Sequence, residues 1–181
     1  ADFDNDGDQD LFLTRNGWFG MAANSLLRND GSGRFADVAR EAGVEDPGCS
    51  GFAASAADVD GDGLLDVYVA NLFPVGRAPN RLYRNLGGLR FEEVGEAAGV
   101  ADPRPTIGCC FGDYDGDGRP DLYASNFGTS NSLYRNEGNL RFRDVTAEAR
   151  VGAPQQAFVS FFLDFDNDGD LDLFCSAFAT F

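Results

Sequence analysis

A nine-residue pattern, Asp-x-Asp-x-Asp-Gly-x-x-Asp, occurs four times in this 181-residue chain, at Asp2 to Asp10, Asp58 to Asp66, Asp113 to Asp121 and Asp164 to Asp172. Successive copies begin 56, 55 and 51 residues apart. Two further elements keep the same beat. Asn24 to Asn29, Asn80 to Asn85 and Asn131 to Asn136 share the form Asn-x-Leu-x-Arg-Asn. Six residues after each closing Asn stands Phe35, Phe91 or Phe142, three residues before Val38, Val94 or Val145. Self-similarity at such a period means supersecondary units that cannot bury their own apolar faces and must stack on one another.

Each unit reads as an apolar strand (Phe52 to Ala57, Ile107 to Phe111, Phe158 to Leu163), the Asp loop, a second apolar strand, the Asn-x-Leu strand and an outer Phe-x-x-Val strand. Four short strands in about 50 residues predict one propeller blade. The expected fold is therefore all-β: a partial β-propeller of four-stranded blades with the Asp loop between first and second strands. In chain order it holds the last three strands of one blade (1–44), two whole blades (45–100 and 101–151) and the first two strands of a fourth (152–181). A helical turn at Ala39 to Ala42 and Glu96 to Ala98 caps a blade, with Gly43 and Gly99 in the left-handed position that ends it. Arg150 takes that place in the third copy, at a cost of about 1 kcal/mol if the geometry is kept. From motif start to the Asn-x-Leu element runs 22, 22 and 18 residues, so the main length variation falls in one loop and on one face. Because it opens inside a loop and stops after a strand, the chain reads as a piece of a longer protein whose other blades complete the ring.

Three carboxylates at alternate positions repel one another unless a cation sits among them. Position 6 of every copy is glycine (Gly7, Gly63, Gly118, Gly169), as a loop folding back around an ion requires. Position 7 varies as Asp8, Leu64, Arg119 and Asp170, which fits a ligand supplied by the backbone carbonyl. The expected ligands are Asp2, Asp4, Asp6, Asp8 and Asp10; Asp58, Asp60, Asp62, Leu64 and Asp66; Asp113, Asp115, Asp117, Arg119 and Asp121; and Asp164, Asp166, Asp168, Asp170 and Asp172. All-oxygen ligation of this kind suits Ca²⁺, at up to four sites. An EF-hand shares the opening of the motif but needs a bidentate acid at position 12 and a following helix. Position 12 here is Leu13, Val69, Ala124 or Cys175, inside apolar runs that predict strands. A merely solvated Asp/Gly turn is the plain alternative for one copy; four copies in matching context argue against it. Better-framed loops at Asp58 to Asp66 and Asp113 to Asp121 are expected to bind best.

The motifs hold 18 of the 30 acidic residues, so the formal charge of −16 belongs mostly to these loops. Four Ca²⁺ ions would halve it. With this balance no nucleic-acid partner is expected. All 14 basic residues are Arg, and without Lys or His the common general bases, amine nucleophiles and transition-metal ligands are missing. No apolar run approaches the roughly 20 residues of a membrane span. Cys49, Cys109, Cys110 and Cys175 show no disulfide framework and read as buried small hydrophobes rather than redox or metal groups.

The Asp loop within a blade of about 50 residues resembles the FG-GAP/VCBS repeat, the calcium-binding blade of integrin α-subunit propellers. The pairing of Asn80 to Asn85 with Phe91 to Val100, ending Glu-Ala-Ala-Gly-Val, is most similar to the repeats of cartilage acidic protein-like proteins that carry an ASPIC/UnbV domain. The resemblance implies a calcium-stabilised propeller, usually seven-bladed, that is extracellular, cell-surface or periplasmic and serves binding or adhesion. Its partner would be a protein or carbohydrate meeting the loops Gly17 to Ala23, Leu72 to Pro79 and Phe127 to Ser130. Trp18, Phe19 and Met21 in the first of these either anchor that partner or pack inside the propeller. The alternative is part of a polysaccharide-active lyase or hydrolase, with Arg81, Arg84 and Arg135 facing an acidic sugar. No nucleophile motif supports it, and those arginines are expected to pair with neighbouring acids.

Overall fold

The computed structural model describes residues 1–15, 23–72 and 79–178. Period-2 apolar runs separated by Gly, Asn and Asp clusters give four antiparallel sheets in chain order. The first joins β1 (Leu11–Leu13), β2 (Ser25–Asn29) and β3 (Phe35–Asp37). The second joins β4 (Gly51–Ala57), β5 (Asp66–Asn71), β6 (Arg81–Asn85) and β7 (Phe91–Glu93). The third repeats this with β8 (Thr106–Gly112), β9 (Asp121–Asn126), β10 (Ser132–Asn136) and β11 (Phe142–Asp144). The fourth pairs β12 (Ala157–Leu163) with β13 (Asp172–Ala177). Each sheet meanders in sequence order, the blade form of a propeller, and the chain is all-β.

First strands crowd together: β8 lies between β4 and β12. Side chains must be missing where they touch. A methyl at Gly108 would come within 2.2 Å of the Phe158 carbonyl oxygen, and one at Gly112 within 2.5 Å of the Phe162 ring.

The apolar core lies between successive sheets rather than within one. Phe3, Leu26, Ala42 and Val44 of the first unit pack on Val67, Val69, Tyr83 and Phe91 of the second. Val59, Tyr68, Leu82 and Val100 repeat this against Leu122, Ala124, Tyr134 and Phe142. Stacking thus supplies the burial that a lone blade lacks.

One-turn helices α1 (Ala39–Ala42), α2 (Gly95–Ala98) and α3 (Thr146–Ala149) follow the outer strands. Val38, Val94 and Val145 are their N-caps, so the outer strands stop one residue short of these valines. Gly43 (φ 82°), Gly99 (φ 84°) and Arg150 (φ 60°) all end their helices in the left-handed region, so the geometry survives the substitution. A methyl at Gly43 or Gly99 would also press on the Phe91 or Phe142 carbonyl of the next unit, at 3.2 and 3.1 Å.

A carboxylate fastens each of the first two linkers to the blade that follows. Asp102 accepts hydrogen bonds from Tyr134 Oη (3.0 Å), Ser132 Oγ (3.2 Å) and the Arg104 guanidinium (2.6 to 3.0 Å). In the preceding unit Asp46 occupies the same place beside Arg81, 3.5 Å away. The counter-cation comes from the linker in one blade and from the third strand in the other. Burial alone would raise the Asp102 pKa, but the Arg104 hydrogen bonds outweigh it and hold the group below the usual carboxylate range.

Candidate metal sites

All four Asp loops close in the same way, around the carboxylate at position 1. Asp2 accepts the N–H of Asp6 (3.2 Å) and Gly7 (2.9 Å), and Asp113 accepts those of Asp117 (3.0 Å) and Gly118 (2.8 Å). Asp58 accepts those of Gly61, Asp62 and Gly63, and Asp164 those of Asp168 and Gly169. The outermost loops, 2–10 and 164–172, therefore keep the internal geometry of the central two. Folding back takes two left-handed residues. Position 6 is one, with φ of 95°, 87°, 86° and 97° at Gly7, Gly63, Gly118 and Gly169. The sequence reading missed the other, at position 4: Asn5, Gly61, Gly116 and Asn167 have φ of 57°, 78°, 71° and 61°. Its signal was legible, since only Asn and Gly stand there and both tolerate that region.

Position 9 lies at the base of the loop. Asp10, Asp66 and Asp121 are buried, at 1, 0 and 0% exposure. One oxygen of each accepts the N–H of position 2: Phe3 (3.0 Å), Val59 (3.0 Å) or Tyr114 (3.2 Å). The other accepts the N–H of the closing Asn of the third strand: Asn29 (2.9 Å), Asn85 (2.8 Å) or Asn136 (2.7 Å). That Asn then ties loops together. Asn85 Nδ2 donates to Leu65 O in its own loop (3.1 Å) and to Phe3 O in the preceding loop (2.8 Å). Asn136 Nδ2 does the same with Pro120 O (3.1 Å) and Val59 O (2.9 Å). This explains why Asn closes the Asn-x-Leu element, a role that periodicity alone did not reveal.

Position 2 anchors the loop. Position 2 inserts into the next inter-sheet core, where Phe3 meets Phe91 edge-on at 6.2 Å. Phe165, with no such core beside it, is 78% exposed.

Position 7 side chains turn aside toward the hairpin between third and fourth strands. A methyl at Gly31 would come within 2.5 Å of the Asp8 carboxylate; one at Gly87 would touch Leu64, and one at Gly138 would touch Arg119. With Leu64 and Arg119 so placed, only their carbonyls are left to serve an ion.

The donor set fits a hard divalent cation. Oxygens of Asp2, Asp4 and Asp6 lie within 4.8 Å of one another, as do those of Asp58, Asp60 and Asp62, of Asp113, Asp115 and Asp121, and of Asp164, Asp166 and Asp168. Asp4 Oδ1 is buried with no hydrogen-bond donor, an orphan that a cation satisfies. Burial, followed by the charges of Asp10 and Asp6, raises the Asp4 pKa. Burial also pushes Asp66 and Asp121 up to about 6 despite their backbone hydrogen bonds, with the neighbouring loop acids adding to the rise. A divalent ion held among these carboxylates would offset that penalty.

Two arginines of the third strands reach the same carboxylates. Arg84 Nε lies 2.7 Å from Asp60 Oδ2, without hydrogen-bond alignment, and Arg84 Nη2 lies 3.5 Å from Asp62 Oδ2. Arg135 repeats this on Asp115 (2.7 Å) and Asp117 (3.5 Å). Arg119 contacts Asp117 as well. Arg81 pairs with Asp46 and Glu93. These arginines are engaged with acids of the protein, as expected.

Cys109 and Cys110 are half-buried and Cys49 is buried; all are free, and burial raises each thiol pKa, to about 11 at Cys49 and Cys110. At the end of the blades opposite the Asp loops lies an apolar cavity of about 440 Å³. Phe52, Ile107 and Phe158 of the first strands line it with Leu72, Phe127 and Phe178, which follow the second strands. Phe127 opens one of the variable loops. Trp18, Phe19 and Met21, and most of the loop from Leu72 to Pro79, lie outside the described residues.

Several known proteins are similar to this chain. The chain is 28% identical to cartilage acidic protein 1 of Mus musculus and of Homo sapiens, and 27% identical to that of Xenopus tropicalis, over 164 residues in each case. These alignments cover 84% of the chain but only 25, 24 and 25% of the relatives, so the chain spans about a quarter of their length. One similar solved structure concerns specific recognition of non-reducing terminal N-acetylglucosamine by an Agrocybe aegerita lectin. It has 18% identity and a TM-score of 0.47, covering 91% of this chain and 46% of that one. The description FG-GAP-like repeat matches three overlapping stretches, residues 2–69, 58–124 and 113–175, each running from one Asp loop through the next. The chain belongs to the FG-GAP-like repeat family.

Proposed function

We propose that the chain is a calcium-binding propeller module whose ions stiffen the blade loops of a non-enzymatic binding or adhesion scaffold. The observation that carries this reading is the fourfold recurrence of one loop geometry around a cluster of three carboxylates. Positions 1, 3, 5 and 9 would hold the ion through carboxylate oxygens, and position 7 through its carbonyl. The ion supplies charge neutralisation; the protein supplies a prefolded ring of oxygens and backbone N–H groups that keep them aimed. Oxygen-only ligation by short acidic side chains favours Ca²⁺ over Mg²⁺, which retains water and demands octahedral geometry.

Extracellular calcium modules have Kd of about 10⁻⁴ to 10⁻³ M and fill in the millimolar calcium outside a cell, which supports an extracellular, cell-surface or periplasmic location. A protein or carbohydrate partner would meet the face opposite the ions, where Leu72 and Phe127 line the apolar cavity.

The test is thermal unfolding in EDTA against 10 mM CaCl₂ or MgCl₂, a concentration of about 10 to 100 Kd on that scale. Calcium is expected to raise Tm well above the EDTA value, since a site at 100 Kd contributes about 2.7 kcal/mol. Magnesium should raise it less. An equal Tm in EDTA and calcium would sink the assignment.

A further inference from the structure

The four loops differ in one respect that their shared motif conceals: how many guanidinium groups touch their carboxylates. Among the described residues the loop at Asp58 to Asp66 has one, from Arg84. The loop at Asp113 to Asp121 has two, from Arg135 and Arg119. Loops 2–10 and 164–172 have none, although Arg28 stands on β2 at the position of Arg84. Counting side-chain charges, the four loops carry −5, −3, −2 and −5 in chain order.

We propose that Arg84 and Arg135 are built-in counter-cations that partly replace calcium, holding loops 2 and 3 together without the ion and lowering their affinity for it. The inference rests on the calcium reading above. The Nε-to-position-3 and Nη2-to-position-5 distances are the same in both blades, 2.7 and 3.5 Å, so the contact belongs to the repeat. A guanidinium there relieves the repulsion between positions 3 and 5 in the ion-free loop. Whatever stabilises the ion-free state more than the ion-bound state weakens binding by the same factor. Once calcium arrives, the fixed positive charge also opposes it through space. The loop at Asp2 to Asp10, whose third strand is present but whose Arg28 makes no such contact among the described residues, has no substitute and depends on the ion. This order of affinity is the reverse of the one expected from strand framing alone.

Loop 3 can be read on its own, because Tyr114 occupies its second position, between Asp113 and Asp115, with its N–H bonded to Asp121 Oδ2 at 3.2 Å. Terbium bound there takes excitation energy from the phenol, and calcium competes it away. The experiment measures calcium displacement of Tyr114-sensitised terbium luminescence on the full chain, with Tyr114→Phe confirming the origin of the signal. Arg135→Met, which keeps the stem and removes the charge, is expected to tighten calcium binding at this loop three- to tenfold and to lower Tm in EDTA. Arg135→Lys should stay within about twofold of wild type. The gap between Met and wild type should shrink as salt is raised, since Arg135 is 36% exposed and its charge is screened.

If Arg135→Met binds calcium more weakly, or with unchanged affinity, the arginine orients Asp115 rather than replacing the ion, and the proposal fails while the calcium reading stands. If the wild-type signal is not displaced by calcium at all, both fall together.

Discussion

Single residues in this chain do several jobs at once, and the closing Asn is the clearest case. Asn85 is fully buried; its amide donates to Phe3 O and Leu65 O while its Oδ1 accepts the N–H of Gly87 at 2.9 Å. Asn85→Ala leaves those partners buried and unpaired, so we expect a loss of about 2 to 4 kcal/mol, read as a lower urea midpoint. Arg150 offers the opposite case. It holds φ of 60° without a glycine's freedom, and Arg150→Gly should stabilise by about 1 kcal/mol, a Tm gain of roughly 2 to 4 °C by calorimetry. Both residues stood out in the sequence, one by repetition and one by breaking it. What repetition did not disclose was purpose. A closing Asn at a fixed interval looks alike whether it caps a strand or bridges two loops, because the bridge joins residues 82 apart in sequence.

At the scale of elements, the strands were legible because alternation and turn residues mark them locally. The limits of that reading are physical. Val38, Val94 and Val145 continue an apolar pattern but belong to the helical turns, since their N–H groups bond Leu26, Leu82 and Leu133 across the sheet just where the chain turns away. The linker carboxylates were not legible either, because the cation that pairs with Asp102 lies two residues on, whereas the one beside Asp46 lies on β6. Asp102 titrates below its unfolded value, so its contribution is fully present above pH of about 4 and is lost as pH falls through the folded pKa. Asp102→Asn is therefore expected to lower Tm at pH 7, with the difference from wild type narrowing below about pH 4 in a Tm series from pH 7 to 2.

Across the whole molecule, each sheet covers the next, and the last described sheet shows what an uncovered one exposes. Val159, Phe161, Phe165 and Phe174 are 42 to 78% exposed there, with Phe161 stacked on Phe174 at 4.9 Å. An apolar face of this kind drives association. The double variant Phe161→Ser, Phe174→Ser should reduce concentration-dependent self-association of this chain in sedimentation velocity while leaving the calcium response of Tm intact. Unchanged association would mean that this face is not the sticky one. The bridges made by Asn85 and Asn136 also bear on how such a chain lengthens by gene duplication. Because Asn85 and Asn136 each lie after the loop they close, a copied segment that ends within a loop leaves that loop's closing Asn behind: the matched stretch 2–69 holds Asp58 to Asp66 without Asn85, and 58–124 holds Asp113 to Asp121 without Asn136. A copy cut between third and fourth strands keeps each loop with the Asn that closes it, and only the bond to the preceding loop, as from Asn136 to Val59 O, crosses the junction. The smallest unit that carries a whole loop closure therefore ends just past the closing Asn, offset from the visible blade.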